Sequence, residues 1–198
     1  MPSRRASSLA VLLTPGAGTD ATQPTLVAVE RILGSRRPPV PVERMDFPYR
    51  RAGRRAPDRA PVLLDAVREG AVGLAERSRV APERLVLGGR SMGGRMCSMA
   101  IADGLPALGL VCVSYPLHPP GKPDRLRVEH LPRIHVPCLF VSGVRDAFGT
   151  RDELESHTAS IPGPVTHVWI EGKGADHSLK GRDEEIAEIV SDWIVGLA

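Results

Sequence analysis

The stretch GGRSMGG, residues 88–94, sets Ser91 between two glycine pairs and contains the pattern GxSxG as Gly89-Arg90-Ser91-Met92-Gly93. A serine hydroxyl is a weak nucleophile until a general base removes its proton and a carboxylate fixes the tautomer of that base. Glycines on either side suit a strained strand-to-helix turn in which neighbouring backbone comes close. The competing reading of Ser91 is an ordinary helix N-cap, which needs the same position and carries no chemistry. The partners must therefore be sought elsewhere. Asp146 lies in VRDAFG and His177 in GADHSLK, each just past an apolar run. Asp152 and Asp176 compete for the acid role, but Asp152 reads as part of a helix first turn and Asp176 is the immediate neighbour of His177. His118, in YPLHPP, is the runner-up base; His130, His135, His157 and His167 fall in connections, helices or a strand.

An oxyanion forming on the attacked carbonyl needs two backbone donors. The Met92 amide, next to the serine, is one candidate, and Ala17, in the glycine-rich loop TPGAGTD at 14–20, is the other. That loop is neither a GxxxxGK phosphate loop nor a full GxGxxG fingerprint, so it does not imply a nucleotide.

These residues need a scaffold that brings the ends of several strands together. Short apolar runs recur at 8–13, 42–47, 84–88, 108–114, 138–143 and 166–171, separated by segments of helical spacing. Such alternation predicts an α/β fold, a three-layer doubly wound sheet of about six mostly parallel strands. Sites in such sheets form at the carboxyl ends of the strands, where Ser91, Asp146 and His177 would all lie. Stripes at Leu26, Val29, Ile32 and Leu33, at Leu63 to Leu74 and at Ile186 to Leu197 mark covering helices. Met92, Met96, Met99 and Ala100 mark the helix after Ser91.

The chain has 198 residues, 42% hydrophobic and 25% charged, which suits one domain over 1–198 and excludes disorder and coiled coil. The net charge of +3 is small, and the run RRAGRR at 50–55 lacks the interleaved aromatics of a base-stacking surface, which disfavours nucleic acid as a partner. Cys97, Cys112 and Cys138 stand singly in apolar segments and read as buried reduced thiols, without zinc spacing. The apolar run Leu9–Leu13 is too short for a signal h-region, and no segment is long enough for a membrane span; a cytoplasmic enzyme is expected.

The blocks LLTPGAGTD, DFPYRRAGRRAPD, GGRSMGGRMCS, YPLHPPGKPDRLRVEHL, VSGVRDAFGT and GADHSLK resemble the α/β-hydrolase superfamily. They are similar to its small lidless, dienelactone-hydrolase-like bacterial branch, and the later blocks to the hydrolase-like domain of a eukaryotic chromatin-complex subunit. The resemblance implies the superfamily sheet without its first two antiparallel strands, and no lid domain. It also implies Ser91 as nucleophile, Asp146 as acid and His177 as base. One departure is Pro15, where relatives commonly have a histidine before the first loop glycine. The expected activity is hydrolysis of small carboxylic esters without cofactor or metal. Tyr115, His118 and Phe148 are expected to contact substrate, with Tyr49 and Arg145 at the border of an open cleft. The rivals are a catalytically silent scaffold, using RRAGRR or the YPLHPPGK loop as a contact surface, and a thioesterase or acyltransferase using the same triad. Whether copies of the chain associate is left open.

Overall fold

In the computed structural model, which describes residues 8–198, β-branched and leucine-rich runs pair into one six-stranded sheet of order β2-β1-β3-β4-β5-β6. The strands are β1 (Ala10–Thr14), β2 (Val42–Arg44), β3 (Leu85–Arg90), β4 (Gly109–Val113), β5 (Cys138–Gly143) and β6 (Val165–Ile170). Every pairing is parallel. All-parallel pairing is the arrangement that requires helices on both faces, because each connection must cross over the sheet.

The period-two geometry of the strands sorts their side chains between two cores. Leu12, Leu87, Cys112 and Phe140 face α3 (Ala60–Ser78) and α4 (Met92–Ala102). Val11, Val86, Val111 and Leu139 face α1 (Pro24–Ser35) and α6 (Asp183–Val195). The two remaining helices are α2 (Pro48–Arg51) and α5 (Arg151–Thr158). The helical stripes read from spacing are the buried ones: Leu26, Val29, Ile32 and Leu33 on α1, and Ile186, Val190 and Ile194 on α6. Each fully buried aliphatic side chain contributes about 1.5–3 kcal/mol, so these two layers, and not helix propensity, hold the helices in place. Asp183, Glu184 and Glu185 open α6 where its dipole favours negative charge. A capping box at Thr150 and Glu153 opens α5.

Two strand limits differ from expectation in ways that matter. The strand expected over 42–47 closes at Arg44: the Met45 N–H makes a last bond to Leu13 O, and the chain then leaves the edge toward Pro48. The strand expected over 84–88 continues to Arg90, paired with Val113, so the ladder runs right up to the serine. Among the described residues, no separate lid covers the carboxyl edge of the sheet. The connection from β4 to β5 carries only a short 3-10 turn, Leu131–Arg133. No helix among the described residues is long and apolar enough to cross a membrane.

Candidate active site

Ser91 alone makes the turn between β3 and α4, at φ 50° and ψ −117°. A residue with a Cβ is held in such a conformation at a cost of about 1–3 kcal/mol, which the surroundings must supply. Here they do so by backbone contact. The Ser91 N–H donates to Val113 O at 2.8 Å. A Cβ at Gly89 would lie 2.2 Å from Thr14 O, and one at Gly93 2.4 Å from the same oxygen. The glycines of the motif are thus needed because β1 passes directly beside the turn. Ser91 Oγ makes no capping bond to α4, so the helix-cap reading does not describe it.

The hydroxyl instead faces the imidazole of His177, with Oγ and Nε2 2.9 Å apart. On the other side of the ring, Nδ1 lies 2.8 Å from Asp146 Oδ2 and 2.9 Å from Oδ1. A carboxylate can only accept, so Nδ1 carries the proton and Nε2 presents its lone pair to the Ser91 hydroxyl. Asp146 is 3% exposed and also accepts from the Phe148 N–H at 2.8 Å, which fixes its rotation. The Phe148 ring stacks on the imidazole, with centroids 3.9 Å apart. The competing acids are occupied elsewhere. Asp176 bonds the Ser178 hydroxyl and N–H, bonds that hold its carboxyl below the ordinary range. Asp152 sits in the first turn of α5.

Arg90, between glycine and serine in the motif, was not singled out from the sequence and proves to be a clamp. Its side chain turns under the site and is 7% exposed. It donates to Thr25 Oγ1 at 3.2 Å, to His177 O at 3.0 Å and to Ser178 O. Burial lowers its pKa, opposed by the charges of Asp183, Asp146 and Asp176. One guanidinium therefore ties the loop that carries His177 to the strand that carries Ser91. A long basic side chain within the motif was the only signal available, and nothing local says which way it points.

The two residues expected to supply oxyanion donors, Met92 and Ala17, line one cleft. Met92 is the first residue of α4, so its N–H has no carbonyl one turn back to bond. Ala17 lines the same cleft as Ser91 and Met92. A Cβ on neighbouring Gly16 would lie 3.6 Å from Ser91 Cβ. Two residues of the DFPYRR block brace this loop: Tyr49 Oη donates to Ala17 O at 2.9 Å, and Arg50 pairs with Asp20 at 3.1 Å. Arg54 of the basic run is likewise engaged, with Asp58 at 2.7 Å.

The cleft beside Ser91 measures about 330 Å³ and is lined by Ala17, Ser91, Met92, Arg95, Arg127 and Phe148, over a floor that includes Leu63 and Met96. Tyr115 and His118, expected at its rim, are not there. Tyr115 is 2% exposed, its ring edge-on to Phe140 and its hydroxyl donating to Arg127 O at 2.9 Å. His118 lies beyond Phe148, whose carbonyl its N–H bonds, with Nε2 3.6 Å from Glu153. The path of the proline-rich loop puts Pro116 at the cleft and turns these two side chains inward. Tyr49 is fully buried beneath the Ala17 loop, and Arg145 reaches out to Gly172 O, so neither borders the cleft. Cys97 is buried along α4, and burial pushes its thiol up to about 12, which leaves it inert.

The model of the alpha/beta hydrolase domain matches residues 7–192. Among solved structures, an alpha-beta serine hydrolase homologue from Coxiella burnetii superposes with a TM-score of 0.75 at 16% identity, over 96% of this chain and 87% of that one. Est1E from Butyrivibrio proteoclasticus gives 0.74 at 14% identity, over 99% and 90%. A putative hydrolase of the alpha/beta superfamily from Xanthomonas campestris gives 0.68 at 17% identity, over 94% and 98%. At these identities the structural likeness speaks for the fold alone, while the family match extends over nearly the whole chain. The chain belongs to the α/β-hydrolase family.

Proposed function

We propose that this protein is a serine hydrolase that cleaves small carboxylic esters through an acyl-enzyme on Ser91. The observation that carries the reading is the continuous relay from Ser91 Oγ through His177 to Asp146, at 2.9 Å and 2.8 Å, on a strained turn that aims the hydroxyl out of its helix. In this mechanism Ser91 Oγ attacks the ester carbonyl carbon while its proton passes to His177 Nε2. Asp146 stabilises the imidazolium and keeps it oriented. The Met92 and Ala17 amides bind the carbonyl oxygen as it becomes negative, aided by the positive end of α4. Collapse breaks the ester C–O bond, and His177 returns the proton to the leaving alcohol. Water then attacks the acyl-enzyme with His177 again as base, releasing the acid and restoring Ser91. The open, small cleft favours short or exposed esters over long acyl chains.

A fluorophosphonate probe is expected to label the folded wild type and not Ser91→Ala. The same variant should lose ester hydrolysis by at least about 10³-fold. Absence of labelling in folded wild-type protein would overturn the reading in favour of a scaffold that keeps the fold.

A further inference from the structure

We infer that Arg95 and Arg127 form a carboxylate-binding subsite beside Ser91, and that the substrates of this site are esters bearing a second, free carboxylate. The catalytic half of this statement rests on the proposed role of Ser91; the binding half does not.

Both side chains line the cleft that contains Ser91. Arg95 stands four residues after the serine, one turn along the same face of α4. Arg127 approaches from the β4–β5 connection, its backbone anchored by the Tyr115 hydroxyl. Ten other arginines, among them Arg31, Arg44, Arg77 and Arg151, pair with carboxylates. Eleven described arginines make no ion pair, and of these Arg95 and Arg127 are the two that line this cleft. The Nε of Arg95 is buried and has no hydrogen-bond acceptor. Among the described residues, the Arg127 guanidinium reaches only Pro116 O, at 3.4 Å.

The two cations also feel each other. Burial first, and the charge of Arg95 second, lower the pKa of Arg127. Two partly desolvated like charges lining one cleft repel each other, and an anion between them relieves both the repulsion and the unmet donors. The guanidinium fork matches a planar carboxylate with paired bonds. Asp58, also in the lining, does not supply that anion. Its Oδ1 is taken by Arg54 at 2.7 Å, and it makes no ion pair with Arg95 or Arg127. Its buried, unpartnered Oδ2 repels a carboxylate placed beside it.

The free carboxylate can belong to either half of the ester, and three substrates separate the cases: phenyl acetate, monophenyl glutarate with the charge on the acyl side, and 4-acetoxybenzoate with it on the leaving side. Wild type is expected to favour one anionic ester over phenyl acetate by at least about tenfold in kcat/KM. That ratio should fall at least tenfold in Arg95→Met and in Arg127→Met, mainly through KM, since each loses a charge-assisted pair of bonds. Isothermal titration with glutarate, which needs no catalysis, should show binding to wild type that weakens at least tenfold in both variants. A wild-type ratio near one, a ratio that neither folded variant alters, or no glutarate binding by wild type would overturn the subsite. Tighter binding of inorganic phosphate than of glutarate would overturn its assignment to carboxylates. If Ser91 takes no fluorophosphonate while glutarate still binds in an arginine-dependent way, the hydrolase reading fails and the anion subsite stands.

Discussion

Replacing Arg90 by methionine keeps most of the side-chain volume and removes the guanidinium that ties Thr25 Oγ1, His177 O and Ser178 O together. A hydrogen bond to a charged group contributes about 1.5–3 kcal/mol, and a buried acceptor left without a donor costs about 1–3 kcal/mol. The three bonds share one donor group and are not additive, and removing a buried charge returns part of its desolvation cost. A net loss of about 3 kcal/mol follows, which for a chain of this size lowers Tm by about 6–12 °C. The effect on the proposed catalysis is separate. His177 Nε2 must stay within hydrogen-bond reach of Ser91 Oγ, and a displacement of about 1 Å of a catalytic group can cost about 10²-fold. Thermal unfolding followed by circular dichroism, with kcat and KM for phenyl acetate measured well below Tm, tests both parts. The expected result is the Tm loss together with a fall in kcat of about 10–100-fold and little change in KM. Arg90→Lys should recover only part of the loss, since one ammonium cannot reach all three acceptors. A folded Arg90→Met protein with kcat within twofold of wild type would refute the positioning role, whatever its Tm.

Tyr49→Phe removes only the bond to Ala17 O and should cost about 1 kcal/mol of stability with a fall of about tenfold in kcat, because the loop carrying the Ala17 amide loses its brace; an unchanged kcat would separate Tyr49 from the oxyanion loop. The third prediction concerns pH. Burial first, then the charges of Arg95 and Arg133, push His130 down to about 4, while Glu129 and Asp103 oppose the shift. Its folded-state pKa lies below the unfolded value, so the unfolded chain binds more protons, and the stability present above about pH 6.5 is lost as pH falls toward 4, by about 3 kcal/mol. Urea unfolding at pH 7, 5.5 and 4.5 should show that His130→Gln lacks this part of the decline; parallel curves for the two proteins would refute it.

How far the sequence reaches depends on what kind of interaction decides each feature. The strands and helices were legible because apolar periodicity is a local consequence of which faces are buried, and all six strands appear close to their expected places. The juxtaposition of Ser91, Asp146 and His177 was legible for a related reason: in a parallel sheet, residues just past the carboxyl end of a strand share one edge, so their order along the chain already predicts nearness. The glycines beside Ser91 spoke as well, because only a missing side chain lets Thr14 O come so near.

Direction within a loop was not legible. Tyr115 and His118 follow β4 at the correct edge, yet the turn of the proline-rich segment points them into the core and leaves Pro116 at the cleft. Tyr49 looked like a rim residue and is a buried support. Arg90 and Arg95 lie five residues apart, and one turns to the carbonyls of His177 and Ser178 while the other turns into the cleft. Those outcomes depend on which backbone carbonyls and which other side chains the crossovers bring near, across sequence separations of up to about ninety residues. The amino-acid sequence by itself determined the layers, the sheet edge and the order of Ser91, Asp146 and His177 along it, since these follow from local patterning. Only the tertiary structure decided which polar side chains support that edge and which face the cleft, since burial of a long side chain is settled by packing against residues distant in the chain.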